Sequence, residues 1–332
     1  MIFIKPKSFT IALILLLVAK LNVKSPFKHT LSFSMLRIFI LILLKIGKDH
    51  RYITTVLLKY YDPPNTKNLV IHPNSELHMM INSSAVNYFL ISLSSFLYFS
   101  RINIPIYIHD DGSLTNNDCL LINKKFPSIT IIKYKESTAK IKNILKNNPN
   151  LFKLRLLKDK RYHMINLLDI PLMANKSKIL YLDSDVLFYK YPSEIMRWLK
   201  RKDTTSILYM KDIQESQIID ANDTLRYFNS EYIKKFNMGI LGYSKHTVNL
   251  SHLNKYITYL IKHKKIHCFW RDQTYWMIHA TSFYKELKQL NNNYVVSFTG
   301  KIMPQTVCYH FISPIRELIY TESIVFMVSH WS

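Results

Sequence analysis

The sequence feature that most constrains the fold is the segment Lys178–Phe188, which reads KILYLDSDVLF. It begins as an apolar stretch typical of a buried strand, and two carboxylates, Asp183 and Asp185, follow. Side chains at i and i+2 of an extended chain point to the same side, so both carboxylates would meet at the carboxyl edge of a sheet. Adjacent carboxylates stay ionised at low cost only beside a cation. The segment predicts a site for Mg²⁺ or Mn²⁺, although a strand followed by a polar turn is the alternative.

The composition narrows the class of protein. A chain of 332 residues with 48% hydrophobic residues is globular and can bury a large core. The net charge of +23 favours anionic partners, namely nucleic acid, anionic lipid head groups or phosphorylated small molecules. Because the lysines are scattered without an arginine-rich block, we expect no nucleic-acid partner. The three cysteines form no C-x-x-C pair, which argues against a zinc ribbon and favours a reducing, cytoplasmic compartment.

Residues 1–66 look separate from residues 67–332. Two apolar runs, Phe9–Ala19 and Leu36–Ile46, are flanked or interrupted by Lys and Arg. Both are shorter than the roughly 20 residues that a membrane-spanning helix needs. They are predicted either to attach peripherally to an anionic membrane surface, on its inner face, or to pack on the rest of the protein. Asp62–Asn65, which reads DPPN, is a turn or linker signal.

From residue 68 onward the pattern alternates between strands and helices. Strands are predicted at 69–72, 104–109, 129–134, 178–183, 207–210, 236–243 and 306–311. Helices are predicted at 83–99, 116–125, 137–174 (with breaks), 192–200 and 247–262, and one more opens at 270. Residues 211–235 look polar and irregular. This order predicts an α/β fold with a mostly parallel sheet flanked by helices on both faces.

Several polar residues at strand or helix ends are candidates for function. Asp110 and Asp111 follow a strand, where they could contact a nucleotide or simply form an Asp-Gly turn. Asp272 could be catalytic, or could be a first-turn acid that interacts with the helix dipole. His310, at the end of a late strand, could be a metal ligand or a hydrogen-bonded core histidine.

The order of these motifs resembles that of GT-A-fold nucleotide-sugar glycosyltransferases, in particular a bacterial group similar to family 8. No single motif is specific, but five occur in the expected order over roughly residues 68–325. They are Ile108–Thr115 (IHDDGSLT), Tyr181–Phe188 (YLDSDVLF), Phe236–Gly239 (FNMG), Asp272–Thr274 (DQT) and Tyr309–Glu322.

The resemblance implies a role for each candidate residue. It implies that Mn²⁺ or Mg²⁺ is held by Asp183, Asp185 and His310. It implies nucleotide or diphosphate contacts for Asp110, Asp111, Asp183 and Arg316, and sugar contacts with a catalytic role for Asn237, Asp272 and Gln273. Gly239 would allow close backbone approach, or would mark a bulge. Two positions depart from the group: Met238 replaces a small residue, and Asn166 stands where a basic residue is common.

The resemblance further implies a metal-dependent, hexosyltransferase-like enzyme that moves a sugar from a UDP-sugar to a glycan or lipid-linked acceptor. Family 8 similarity suggests retention of the anomeric configuration. One alternative is a sugar nucleotidyltransferase of the same fold, but those enzymes carry an early Gly-rich loop with a lysine, and none occurs at Leu69–Ser75. Another is a catalytically degenerate basic protein that binds membrane or nucleic acid, which leaves the ordered motifs without a purpose.

Overall fold

The structure is a computed structural model. It describes residues 10–11, 13–15, 40–45, 49–64, 70–71, 73–157, 164–202, 205–313 and 315–330. Half of the residues in the two N-terminal apolar runs lie outside the described residues, and the membrane binding of these runs stays a prediction. Within the described part of the chain, no helix is both long enough and apolar enough to cross a membrane.

A seven-stranded sheet forms the centre of the molecule. Its strands in spatial order are β10 (Glu286–Gln289), β8 (Ser206–Lys211), β9 (Phe236–Ser244), β6 (Lys178–Leu182), β2 (Ser75–Ile81), β4 (Ile106–Asp110) and β5 (Thr130–Ile132). All neighbouring strands are parallel except β9, which runs antiparallel to both β6 and β8. The prediction of a mostly parallel, mixed α/β sheet is confirmed.

Two smaller sheets accompany the central one. The first contains β11 (Tyr294–Val296), β12 (Cys308–His310) and β7 (Val186–Phe188), with β12 parallel to β11 and antiparallel to β7. The second pairs β1 (Val70–Ile71) with β3 (Ile102–Asn103). Residues 183–185 carry the chain from β6 of the central sheet to β7, so the two carboxylates lie where the two larger sheets meet.

Helices cover both faces of the central sheet. The α-helices of the described residues from 49 onward are α1 (His50–Tyr60), α2 (Val86–Ser100), α3 (Asn116–Lys125), α4 (Tyr134–Ile144), α5 (Pro149–Leu156), α6 (Ile170–Met173), α7 (Ser193–Lys200), α8 (Ala221–Phe228), α9 (Leu250–Lys262), α10 (Arg271–Phe283) and α11 (Leu318–Ser329). Short 3-10 turns lie at Ser83–Ala85 and Lys245–Thr247, and a π-helical turn spans Ile165–Asp169. Residues 10–11, 13–15 and 40–45 are also helical.

The alternation of side chains along β2 shows how the sheet divides the core. Leu77 and Met79 pack in one hydrophobic cluster, whereas Met80 packs in the other. The first cluster also contains buried side chains from the described N-terminal residues, such as Leu44 and Ile53. These N-terminal side chains therefore share a core with the sheet, while the proposed boundary after residue 66 stays a prediction.

Several elements differ from the sequence-based expectations: β10, β11 and α11 were not predicted, and two further differences have a clear physical reason. Strand β2, next to the middle of the sheet, was not predicted, because buried Glu76 and His78 interrupt its apolar pattern. Helix α8 lies in the stretch expected to be irregular, so that expectation was wrong. Asp220 caps this helix by accepting a hydrogen bond from the Asp223 N–H at 2.8 Å, a signal that is visible in the sequence.

Candidate active site

The register of β12 against β7 brings His310 to the two carboxylates. His310 pairs with Val186, the residue that follows Asp185, and the Phe311 N–H donates to the Asp185 carbonyl at 2.9 Å. On the other side, the Asp183 N–H donates to the Gly239 carbonyl at 2.9 Å. Three strands from two sheets thus fix the positions of residues that are more than 120 positions apart in the chain.

The three side chains form a compact cluster that we call the acid–histidine triad: Asp183, Asp185 and His310. Nε2 of His310 lies 3.2 Å from Oδ1 of Asp185 and 3.6 Å from Oδ2 of Asp183. One ligand atom from each residue lies within 4.8 Å of the others, and among the described residues this is the only such group of three or more. Two carboxylate oxygens and one imidazole nitrogen are a donor set that fits Mn²⁺ or Mg²⁺.

The electrostatics of the triad favour a positive charge between the carboxylates. Burial and the neighbouring Asp185 raise the pKa of Asp183 to about 6. Burial opposes ionisation of Asp185, but His310 and Arg316 outweigh it and lower the pKa of that carboxyl. Burial likewise disfavours the imidazolium form of His310, but the two carboxylates prevail and raise its pKa. A bound cation would take over the role of the imidazolium proton.

The orientation of the His310 ring is set by the FNMG segment. Nδ1 lies 3.2 Å from Oδ1 of Asn237, and the same oxygen accepts the Gly239 N–H at 2.9 Å. When Nδ1 carries the donated proton, the lone pair of Nε2 points to the carboxylates, as metal-binding histidines require. A Cβ atom at position 239 would lie 2.3 Å from Nδ1, so only glycine leaves room for the ring.

A buried network of amides and carboxylates adjoins the triad. Oδ2 of Asp212 accepts from Nδ2 of Asn237 at 3.3 Å and from Nε2 of Gln273 at 3.1 Å. Oδ1 of Asp272 accepts the Gln273 N–H at 3.0 Å, and Oδ2 accepts from Nδ2 of Asn166 at 3.4 Å. The structure therefore brings the three predicted catalytic residues together. Asp212, which links two of them, was missed, although it follows β8 just as Asp183 follows β6.

Asn166 lies on the π-helical turn, a distortion that is frequent at functional sites. The turn is held by Asp169, whose Oδ1 accepts from Nε of Arg155 at 2.6 Å in a buried ion pair. The Asn166 side chain is only 3% exposed, and its Oδ1 has no hydrogen-bond partner among the described residues. Rotating the Asn166 amide by 180° would place Oδ1 against the Asp272 carboxylate, where two acceptors would repel each other. Nδ2 therefore faces Asp272 and Oδ1 faces away from it. Oδ1 is thus a buried acceptor that no described residue satisfies.

The triad and the network line one cavity of about 720 Å³. Its other walls include residues that the sequence did not indicate: Asn82, Ser84 and Tyr88 after β2, and Phe269, Trp270 and Phe298 on two loops. The first group was missed because β2 itself was missed. A cavity of this size matches the range of small-molecule binding sites.

The remaining predicted residues have different surroundings. Oδ1 of Asp110 accepts the N–H groups of Gly112 at 2.7 Å and Leu114 at 3.1 Å, and Oδ1 of Asp111 accepts that of Ser113 at 2.9 Å. Neither aspartate is among the described residues that line the cavity, and their nucleotide contact stays a prediction. Arg316 does line the cavity, and its Nε donates to Oδ2 of Asp185 at 2.7 Å.

Comparisons with known proteins agree with this architecture. Mouse xyloside xylosyltransferase 1, in its apo form, superposes with a TM-score of 0.50 at 11% identity, over 74% of this chain and 99% of that one. This chain has the GT-A fold. Galactosyltransferase LgtC, solved with donor and acceptor sugar analogues, gives a TM-score of 0.49 at 12% identity, covering 77% of this chain and 96% of that one.

A further GT-A structure, the Mn/GDP form of core-mannan synthase A from Aspergillus fumigatus, gives a TM-score of 0.47 at 11% identity over 82% of this chain and 94% of that one. No protein-family model and no curated protein matches the sequence. At such low identity the structural likeness shows the GT-A fold alone, so the function has to be argued from the site.

Proposed function

We propose that this protein is a glycosyltransferase that moves a sugar from a nucleoside diphosphate sugar to an acceptor hydroxyl, with a divalent cation held by the acid–histidine triad. The single observation that carries the proposal is the position of the triad, Asp183, Asp185 and His310, in the wall of the 720 Å³ cavity of a GT-A fold. Polar residues that follow β2, β6 and β8 line the same cavity, at the carboxyl edge where open α/β sheets bind ligands.

The cation would supply Lewis-acid stabilisation of the leaving diphosphate. The protein itself supplies the ligands, and it supplies a fixed imidazole, because Asn237 and Gly239 hold His310 in one orientation. Arg316, beside Asp185 and on the cavity wall, adds a second positive charge for the diphosphate. Positive charge that is already oriented where negative charge develops is the main electrostatic contribution to such reactions.

The network on the other side of the triad would bind the sugar. Asn166 Oδ1 can accept a hydrogen bond from a sugar hydroxyl, since it is buried and has no partner among the described residues. Asp212 orients the amides of Asn237 and Gln273, and Asp272 is anchored next to them. These groups would position the anomeric carbon for attack. On the resemblance of its motifs, we propose a UDP-sugar as donor and a glycan or lipid-linked acceptor.

The test is release of nucleoside diphosphate from a panel of UDP- and GDP-sugars, with Mn²⁺, with Mg²⁺ and with chelator. We expect one donor class to be consumed only when a divalent cation is present, and we expect the Asp183→Asn variant to be inactive. A folded wild-type protein that consumes no donor, or consumes it equally well with chelator, would contradict the proposal. A nucleotidyltransferase would instead convert a sugar phosphate and a nucleoside triphosphate into a nucleotide sugar and pyrophosphate.

A further inference from the structure

Two aromatic side chains at the rim of the cavity are unusually exposed. Phe269 is 70% exposed and Trp270 is 39% exposed, and both line the cavity. Their rings meet edge to face, with centroids 6.2 Å apart and an interplanar angle of 82°. Large apolar side chains exposed next to each other at a cavity are typical of a binding surface.

The turn that carries these rings is rigidly tied to the protein. Nη1 of Arg271 donates to the Ile266 carbonyl at 2.5 Å, and the Arg271 carbonyl accepts from the hydroxyl of Tyr256 at 2.5 Å. The Trp270 carbonyl accepts from both the N–H and the hydroxyl of Thr274, at 2.9 and 2.8 Å. The backbone that carries the rings is therefore held in place, which lowers the entropic cost of ordering this turn when a ligand binds.

The polar surroundings of the rings indicate what kind of ligand fits. Asp272 and Gln273 follow Trp270 directly in the chain, and Gln214 and Ser216 line the same cavity. A sugar ring has an apolar C–H face that stacks on an aromatic ring, and hydroxyls that bind amides and carboxylates. A lipid chain would instead bury these polar groups without hydrogen bonds, which is unfavourable.

We propose that Phe269 and Trp270 form the acceptor-binding platform, and that the acceptor is a glycan whose sugar ring stacks on them. This inference rests on the proposed function, because it places the acceptor next to the donor. Asp272 and Gln273 directly follow the platform in the chain. Gln273 is linked through Asp212 and Asn237 to His310 of the triad, so a sugar on the platform would be adjacent to the donor sugar.

A glycan array with saccharides of varied linkage tests this proposal on the full-length protein. Matched variants are Trp270→Leu, which keeps apolar bulk without an aromatic face, Trp270→Phe, which keeps the face, and Phe269→Ala. We expect wild type to bind a defined set of glycans, Trp270→Leu and Phe269→Ala to bind them about tenfold more weakly, and Trp270→Phe to stay within about threefold of wild type. Tryptophan emission, compared between wild type and Trp270→Phe, provides a second readout, since the other tryptophans among the described residues, Trp198 and Trp276, are only 3% and 2% exposed.

Two further measurements separate the possible outcomes. The affinity for UDP or GDP with Mn²⁺ should survive in Trp270→Leu and be lost in Asp183→Asn. Absence of nucleotide binding in wild type would refute the proposed function. Glycan binding is measured without nucleotide, so its result does not depend on that outcome. Wild type that binds no glycan, or equal glycan binding in wild type and Trp270→Leu, would overturn the platform. Binding to vesicles of anionic phospholipid that depends on Trp270, without glycan binding, would assign the platform to a membrane surface.

Discussion

Two clusters of acids and histidines in this protein contain the same kinds of residue but differ in burial and in access to the cavity. The acid–histidine triad of Asp183, Asp185 and His310 faces a cavity. The second cluster, which we call the interior cluster, contains Glu76, His78 and His109, all at most 1% exposed, on the neighbouring strands β2 and β4.

The side chains of the interior cluster contact one another and the Asn175 backbone. Nδ1 of His78 lies 2.9 Å from Nε2 of His109, and Nε2 of His78 lies 3.1 Å from Oε1 of Glu76, which also accepts the Asn175 N–H at 2.7 Å. Burial lowers the pKa of both histidines. One carboxylate therefore faces two neutral rings, and none of the three residues is among the described lining residues of the 720 Å³ cavity.

The triad has the opposite ratio of groups: two carboxylates surround one imidazole, and the pKa of that imidazole is raised. Residue type alone therefore does not distinguish a functional cluster from a structural one. What distinguishes the triad is a pair of carboxylates around a single imidazole, together with access for a ligand from the cavity. The following predictions test that distinction, from the largest expected effect to the smallest.

Asp183→Asn should abolish sugar transfer, by a factor on the order of 10³ or more, because the cation loses a charged ligand. Without metal, the same substitution should stabilise the protein at pH 7.5, by up to about 3 kcal/mol, since the Asp183 pKa of about 6 shows that its ionisation is costly there. Denaturant unfolding without metal and the transfer assay measure the two effects. A clear loss of metal-free stability would show that Asp183 is a structural residue.

Gly239→Ala should weaken Mn²⁺ binding about 10- to 100-fold, because the new methyl group would lie 2.3 Å from Nδ1 of His310 and displace the ring. Gly242→Ala, on the same strand, is the matched control. Its methyl group would meet the ring of Trp198 at 3.0 Å, which costs about 1–3 kcal/mol of stability but leaves the triad intact. Titration calorimetry should show the loss of affinity in the first variant only; equal affinities would remove the support for His310 as a ligand.

Binding of Mn²⁺ should depend on pH. The raised pKa values of Asp183, about 6, and of His310 mean that protons compete with the cation at low pH. Affinity should therefore fall by about tenfold for each pH unit between the two pKa values, by up to about 100-fold for each unit below 6, where both groups bind protons, and level off above the higher pKa. Calorimetry at pH 5, 6, 7 and 8 would reveal this slope, whereas a pH-independent affinity would place the cation elsewhere.

Glu76→Gln should have the smallest effect on the site. It removes the charge next to His78 and weakens a buried interaction, so the free energy of unfolding should fall by about 1–2 kcal/mol. Mn²⁺ affinity should stay within about twofold of wild type, since none of the three residues of the interior cluster lines the cavity. A large loss of metal affinity in this variant would mean that the two clusters are coupled through β2.

The sequence predicted elements with strong local signals. Helix α3 was predicted with its observed bounds, because the Thr115 hydroxyl accepts the Asp118 N–H at 3.1 Å while the Asp118 carboxylate accepts the Thr115 N–H at 2.9 Å, a capping box with a sequence signature. Strand β6 and its following carboxylates were equally clear. By contrast, β2 was missed because Glu76 and His78 are compensated by partners on β4 and near β6, which are distant in the chain.

The residues of the candidate site likewise include some that the sequence predicted and some that it did not. Each triad residue ends or follows a strand, so each could be named from its local pattern. Asp212 links Asn237 to Gln273 because β9 runs antiparallel between β6 and β8. No local sequence pattern predicts that strand order. The rim residues Phe269 and Trp270 were also missed, because their exposure is a property of the folded surface.

The central claim is that the triad binds a divalent cation together with a nucleoside diphosphate. The most direct test is thermal melting of wild type and Asp183→Asn with UDP or GDP, each with Mn²⁺ and with chelator. At 100 times the Kd, a ligand adds about 2.7 kcal/mol, a shift of several degrees for a chain of this size. The account predicts that one nucleotide stabilises wild type only with Mn²⁺, and that Asp183→Asn shows no shift. A shift of the same size in both proteins, or no shift in a wild-type protein that melts cooperatively, would contradict it.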